Sequence, residues 1–560
     1  MNPSVWVDFQ PLGRRVQADS SRTLLDAARA AGVALTAVCG GAGVCGACRV
    51  RLVTGELSAP GAVEVEALGM DRLQKGFRLA CLARPLADVR IEIPPESLSS
   101  FQRLQVEGLD NGFESDMDDP VLELPGGIPP LGLALDLGST KLAAYLMDLQ
   151  SGRILARAGA VNPQIPYGED VVSRIAYADQ HPEGRHTLQR LLVKQVQALA
   201  EQLCTEAGQP IESILRVAAV GNTVIHHLFC GLPVRQLGVA PYVPAVMGAL
   251  EFPAENIGLH FAPNAGMYLP PNIAGFVGAD HVAMLIGCGL GQVIAGREDH
   301  PPVVAVDIGT NTEISLYAGG RQYCCSCASG PTFEGAHITD GMRAAPGAVE
   351  HIQVRGDILY LQTIDQLPPV GICGSGILDG VAALLDLGVV DRRGVLRGNH
   401  PRLEGAGKAV RFVLENASES GTGAPVSITR ADVNEVQLAK AAIRAGLEVL
   451  LDAARLDAND LAEIIIAGAF GTYLDVRSAV RVGMFPLLPL ERFRQVGNAA
   501  GTGARSLLCS SKNRRLAASL AAQAEYVELT TSPRFRDLYI DALVFENQPI
   551  NPGWGQKTKE

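Results

Sequence analysis

Basic side chains are in short supply in this 560-residue chain. Its 47 Lys+Arg stand against 59 Asp+Glu, a formal net charge of −12. That balance argues against a general nucleic-acid or anionic-membrane binder. No run approaches the roughly 18 uninterrupted apolar residues of a membrane span. The opening residues, MNPSVWVDFQ, lack the basic-then-apolar order of a secretory signal, so a cytoplasmic location is expected. With 61 Gly and 34 Pro, the chain falls short of a low-complexity or collagen composition. No G-x4-G-K-[ST] phosphate loop is present, and Gly501-Thr502-Gly503 does not continue into a dinucleotide fingerprint. What is present is a 47% hydrophobic composition over a length that implies several domains, each with a core of its own.

In a cytoplasmic protein the 12 cysteines read as thiols or metal ligands rather than disulfides. Cys39, Cys45 and Cys48 form C-x5-C-x2-C inside VCGGAGVCGAC, and Cys81 follows in LACLARP. Gly40, Gly41, Ala42, Gly43, Gly46 and Ala47 remove bulk, so backbone N–H groups can turn toward bound sulfides. Structural zinc usually takes two C-x2–4-C knuckles. One such knuckle, a glycine-packed loop and a lone distant Cys instead resemble the 2Fe–2S ferredoxins, with one extra residue in the first gap. The surroundings fit that layout. Val5–Phe9 and Arg15–Ala18 alternate around Pro11-Leu12-Gly13, which predicts a hairpin. Ser21–Ala31 reads as a helix capped by Ser21, and Arg49–Val53 and Val89–Ile93 as strands. Residues 1–97 are therefore expected to form an α+β, β-grasp ferredoxin domain with Cys39, Cys45, Cys48 and Cys81 as cluster ligands.

Residues 98–128 change character. They hold one basic residue, Arg103, and seven acidic ones, among turn formers without a period. A solvated acidic tether is expected, which suits an electron carrier that must reach two partners. Beyond it the pattern is α/β. Leu131–Leu135 runs into Asp136-Leu137-Gly138-Ser139-Thr140-Lys141, followed by the apolar run Leu142–Met147. The unit recurs as VVAVDIGTNTEISLYAGG, with Asp307-Ile308-Gly309-Thr310-Asn311. A strand ending in D-x-G-[ST] and a hairpin back sets a carboxylate beside a turn whose Gly lets N–H groups approach a phosphate, while the Asp can hold Mg²⁺ or its waters. Further glycine segments are Gly374-Ser375-Gly376, Gly468-Ala469-Phe470-Gly471 and Val496–Ala504.

This set of turns resembles the ASKHA ATPases: acetate and sugar kinases, heat-shock cognate chaperones, hexokinase and actin. The resemblance covers about residues 130–510. It implies two α/β, RNase H-like lobes of the actin and acetate-kinase type that clasp ATP·Mg²⁺ between them. Residues 129–300 would form the first lobe, 301–545 the second and 546–560 a tail. By the same resemblance Asp136 and Asp307 are the catalytic carboxylates, acting through Mg²⁺ and water. Gly138, Ser139, Thr140 and Lys141 would form the first phosphate loop, with Gly309, Thr310 and Asn311 in the second. Gly374, Ser375, Gly376, Gly468, Phe470 and Gly471 would contact adenosine. The second loop departs from the usual D-x-G-G-G-T form, having Thr310-Asn311 where glycines are common.

A 2Fe–2S domain, an acidic tether and an ASKHA ATPase in this order resemble the reductive activators of corrinoid-dependent methyltransferase systems. Segments that carry the resemblance include NPQIPYGEDVVSRI, VGNTVIHHLF, DIGTNTEI, GPTFEGAHITDGMRAAPGA, GICGSGILD, EVQLAKAAIRAG and IAGAFGTYLD. The resemblance implies ATP-driven transfer of one low-potential electron from the cluster to a Co(II) corrinoid protein, restoring Co(I). Its implied partners are that corrinoid protein and a low-potential electron donor, with a homodimer as a further expectation. Activators of radical dehydratases or aryl-CoA reductases are the alternative, but theirs is a 4Fe–4S cluster built without a ferredoxin domain. Cys324, Cys325 and Cys327 read as small buried apolar residues rather than a second metal site. His226 and His227 read as structural, and Arg174 and Glu169 as cleft or partner residues.

Overall fold

The computed structural model describes residues 4–10, 14–31, 33, 35, 43, 48–94, 97, 116, 129–168, 170–291, 300–356 and 358–546. Cys39, Cys45, Glu169, the hairpin turn 11–13 and all of 98–128 except Asp116 lie outside them. The N-terminal sheet has the order β2-β1-β5-β3-β4. Its strands are β1 (Ser4–Gln10), β2 (Arg14–Asp19), β3 (Arg49–Thr54), β4 (Phe77–Leu79) and β5 (Val89–Glu92). β1 and β2 pair antiparallel from Ser4↔Asp19 to Phe9↔Arg14, and β1 runs parallel to β5. Val7, Phe9, Val50 and Ile91 are buried on one face against Leu24, Leu25 and Ala28. The helix that supplies the latter spans Leu24–Ala30, and its cap is Thr23, not the expected Ser21. Thr23 wins because Asp26 completes a capping box with it, satisfying two backbone donors at once.

Two six-stranded sheets follow. The first has the order β10-β11-β9-β6-β7-β8. It comprises β6 (Leu131–Leu137), β7 (Lys141–Asp148), β8 (Ile154–Val161), β9 (Ile214–Gly221), β10 (Leu250–Pro253) and β11 (Gly266–Leu269). The second sheet begins with β12 (Val303–Ile308), β13 (Thr312–Ala318) and β14 (Arg321–Cys327). Two three-stranded sheets intervene: β15 (Ala348–Arg355), β16 (Ile358–Thr363) and β17 (Gly371–Ile372), then β18 (Leu403–Glu404), β19 (Arg411–Glu415) and β20 (Val426–Thr429). The chain then returns with β21 (Glu463–Ala467), β22 (Phe493–Gly497) and β23 (Ala524–Tyr526), giving β22-β21-β12-β13-β14-β23. In both large sheets an antiparallel hairpin stands beside a parallel strand: β6 pairs with β7 and β9, β12 with β13 and β21.

The apolar runs before both Asp-Gly turns are buried on two faces, as central strands require. Leu133 and Leu135 of β6 face one core, Ala134 the other. Val304 and Val306 of β12 face the second lobe's own core, whereas Val303 and Ala305 join Ala134 and Tyr145 in a core shared by both lobes. Two helices fill that shared core, Ala279–Gly287 and Ala499–Cys509. They cross so closely that a Cβ on Gly503 would stand 1.9 Å from the Ala283 carbonyl oxygen. The crossing fixes the N-terminal ends of both helices beside the ends of β6 and β12.

The N-terminal domain touches both lobes. Arg14 of β2 is buried, and its guanidinium donates to the carbonyls of Gly341 (2.6 Å) and Val370 (2.9 Å) in the second lobe. Arg51 of β3 pairs with Glu92, donates to the Tyr167 hydroxyl at 3.1 Å and lies over that ring, in the first lobe. Asp116 donates its N–H to the Cys509 carbonyl at 3.1 Å. Cys324, Cys325 and Cys327 are buried on β14. Among the described residues no helix is long and apolar enough to cross a membrane.

Candidate functional site

The ladder between β3 and β4 brings two of the four expected cluster cysteines together. Cys48 precedes β3 and Cys81 follows β4, and the Ala80 N–H donates to the Cys48 carbonyl at 3.0 Å. Both thiols are buried. The turn carrying Cys81 is tied to the helix by the Leu25 N–H to Ala80 carbonyl bond (2.7 Å). Gly43, from the cysteine-rich loop, has φ +81°, and a Cβ there would stand 2.8 Å from Leu82 Cδ1. Gly43 therefore lies against the side chain of Leu82, the residue after Cys81, and its positive φ and the closeness of that contact both favour glycine. Two buried thiols at the foot of a glycine-rich loop fit a group held by thiolates.

The second site is a cavity of about 210 Å³ between the two large sheets. Both D-x-G turns reach it. Asp136 and Asp307 lie inside β6 and β12 rather than after them, paired with Ala143 and Glu313 across the hairpins. Gly138, Ser139, Thr140, Lys141, Gly309, Thr310 and Asn311 border the cavity with them. So do Gly374, Ser375, Gly468 and Phe470. Gly376 and Gly471 do not. They serve packing instead, since a Cβ would meet the Val349 carbonyl oxygen at 2.1 Å and Ile466 Cγ2 at 2.9 Å. Gly468 has φ +91° with Asp307 Oδ1 2.7 Å from where a Cβ would sit. Phe470 stacks on Phe333, centroids 4.7 Å apart at 12°. Gly374 opens the helix Gly374–Asp386.

Six carboxylates line this cavity, Asp136, Asp280, Asp307, Glu313, Glu334 and Glu350, and the first four hold their protons more tightly than usual. Burial pushes Asp136 up to about 6, opposed by a 2.8 Å hydrogen bond from the Asn498 side-chain amide. Burial, then the charge of Asp136, raises Asp307 to about 7. Asp280, at the start of the helix Ala279–Gly287, is raised to about 8 by burial and then by Asp307 and Asp136. Glu313 is raised by burial and by Asp280 and Asp307. Lys141 and Arg343 are the basic residues on the wall. A buried cluster of carboxylates with two cations beside it is chemically suited to a divalent cation carrying a polyphosphate.

Asp280, Glu313, Asn498, Glu334 and Arg343 were not singled out from the sequence. Asn498 carried a local signal, an Asn before a glycine-rich helix, and it caps that helix through the Gly501 N–H at 2.7 Å. Asp280 carried none. Arg174 is wholly buried behind the first hairpin rather than on the cavity wall. His227 is structural: its Nε2 accepts from the Ala245 and Val246 N–H groups, at 3.1 and 3.3 Å. His226 is fully buried next to it, and burial lowers its pKa to about 3.

These two sites define the class: a ferredoxin-type domain joined to a two-lobed nucleotide-cleft protein of the ASKHA fold. Comparison with known proteins narrows it. Residues 7–86 match the 2Fe-2S iron-sulfur cluster binding domain, 131–293 the RACo middle region, and 302–553 the C-terminal ASKHA domain of RACo. The corrinoid activation enzyme RamQ of Eubacterium limosum is 34% identical over 426 residues, 74% of this chain and 70% of RamQ. A Methanosarcina barkeri reductase of a Co(II) methylated amine-specific corrinoid protein is 25% identical over 450 residues, 74% of this chain and 77% of its own. A solved reductive activator for a corrinoid, iron-sulfur protein superposes with a TM-score of 0.69 at 30% identity, covering 97% of this chain and 98% of its own. The chain belongs to the RACo family of reductive activators.

Proposed function

We propose that this protein uses ATP to return a Co(II) corrinoid protein to Co(I), one electron at a time. What carries the reading is a cysteine-bearing β-grasp domain bonded through Arg14 and Arg51 to both lobes of an acidic cleft. Cys39, Cys45, Cys48 and Cys81 hold the 2Fe–2S cluster. Asp136 and Asp307 hold Mg²⁺, Ser139, Thr140, Lys141, Thr310 and Asn311 face the phosphates, and Phe470 with Gly374 and Ser375 faces the adenosine. A 2Fe–2S centre there supplies single electrons at a potential near −400 mV, and ATP supplies the free energy for the uphill transfer, about 2.3 kcal/mol per 100 mV. The lobes do their part by binding the two cobalt states with different affinity, since a ligand shifts an equilibrium only by its differential affinity. A separate low-potential donor refills the cysteine-held site.

The test is direct. Full-length protein, ATP, Mg²⁺ and a low-potential reductant are mixed with a Co(II) corrinoid protein, and Co(I) is followed by its visible absorbance. Co(I) should accumulate with ATP and fail to do so without it. Equal yields with and without ATP overturn the proposal.

A further inference from the structure

Arg174 stands in the first turn of the helix Val171–Gln180 and has no exposed surface. Its guanidinium makes three hydrogen bonds, all to uncharged oxygens: the Gly168 carbonyl (2.9 Å), the Gln164 side-chain carbonyl (3.3 Å) and the Ser139 carbonyl (2.5 Å). Ser139 belongs to the first D-x-G hairpin. The neighbouring Asn162 amide holds the same hairpin through the Gly138 carbonyl at 2.8 Å. A buried cation bonded, among the described residues, to neutral acceptors alone is costly to keep, so packing alone gives no reason for it.

The second hairpin has a counterpart of opposite sign. Glu334, on the cavity wall of the second lobe, accepts the Thr310 hydroxyl at 2.5 Å. Burial pulls the Arg174 pKa down to about 9; the charges of Asp170 and then Glu334 act against that, and Arg343, also on the cavity wall, adds to it. One long charged side chain thus grips each hairpin.

We infer that Arg174 and Glu334 are positioning residues that set the separation of the two phosphate hairpins. Neither need touch ATP; each acts through the hairpin it holds. The inference rests on reading the cleft as the ATP site. It adds a demand that reading does not make: loss of either charge should loosen phosphate binding, and loss of both should do little more than loss of one.

The experiment is steady-state ATP hydrolysis by the full-length protein and by Arg174→Met, Arg174→Lys, Glu334→Gln and the Arg174→Met/Glu334→Gln double variant. Thermal midpoint and cluster absorbance are recorded beside it. Arg174→Met and Glu334→Gln should each raise KM for MgATP about tenfold, the size of a lost hydrogen bond to a charged group, with a smaller fall in kcat. Arg174→Lys should recover part of the loss, and the double variant should resemble the worse single one. Fold-changes that simply multiply in the double variant overturn the inference, as does an unchanged KM in Arg174→Met. Should Arg174→Met fail to fold, Glu334→Gln decides, and an unchanged KM there overturns it too. Absence of ATP hydrolysis in the unmutated protein would instead count against the cleft as an ATP site.

Discussion

Replacing Asp307 by Asn should make the ligand-free protein more stable at neutral pH while ending ATP turnover. Burial and the charge of Asp136 move the Asp307 carboxyl from its ordinary 3.8 to about 7. The sign follows from proton counting. Between those values the folded chain binds more protons at this site than the unfolded chain does, so stability falls as pH rises and levels off above 7. A shift of about three units corresponds to roughly 4 kcal/mol at the plateau. Water entering the open cleft screens part of this, leaving about 2 kcal/mol for the Asn variant to recover. At pH 5 the gain should be less than half as large. Calorimetric scans of protein freed of divalent cations, at pH 5 and pH 8, measure it. The relevant transition is the one that MgADP shifts upward in the unmutated protein, since a ligand stabilises the unit that binds it. A rise of a few degrees at pH 8 is expected. ATP hydrolysis should drop by about a hundredfold or more with the carboxylate gone. A variant no more stable than the parent at pH 8, or one that gains equally at both pH values, would show that Asp307 is not held against its own charge.

Cys81→Ala should remove the visible absorbance and iron of the N-terminal domain while ATP hydrolysis persists, because the cysteine lies in a separate core from the cleft. Arg14→Ala leaves the Gly341 and Val370 carbonyls without the guanidinium, at about 1–3 kcal/mol for each acceptor left unpaired. Amide exchange should then speed up around 14–19 and 370–372 and stay slow in the N-terminal core; unchanged exchange would mean that the contact holds nothing. Gly374→Ala puts a Cβ 1.7 Å from the Phe333 carbonyl oxygen, so Phe333 must leave its stack with Phe470. ATP affinity by calorimetry should weaken about tenfold or more, the 1.4 kcal/mol scale of a disturbed aromatic contact.

Local chemistry was legible in the sequence and summed chemistry was not. The two D-x-G hairpins could be read because their strands, turns and partner strands are contiguous. The ferredoxin-type domain was legible from its motif, and so was the hairpin β1–β2. Errors came where two local signals competed: Ser21 and Thr23 are both good caps, and only the position of Asp26 selects Thr23. The apolar run Leu131–Leu135 marks most of β6, yet the strand continues through Asp136, which sits in the ladder between Ala143 and Val220. Gly376 and Gly471 resembled their cavity-lining neighbours, since a glycine needed for packing is spelled like one needed for a ligand.

Asp280 shows the deeper limit. Its segment, VGADHV, has no feature that marks a site, and neither does Glu313 within a strand. Each carboxylate is ordinary where it stands in the chain. They become unusual only when the crossing of the helices Ala279–Gly287 and Ala499–Cys509 sets Asp280 beside two strand ends from different lobes, and Asn498 against Asp136. Charge density at a point is a tertiary quantity, invisible to periodicity and spacing. It is also a cost to the empty fold, as the raised proton affinities of Asp136, Asp280, Asp307 and Glu313 record. A fold shaped by stability alone would have replaced one of them. Their gathering around one cavity therefore argues for a cationic or cation-bearing ligand more strongly than any one carboxylate does.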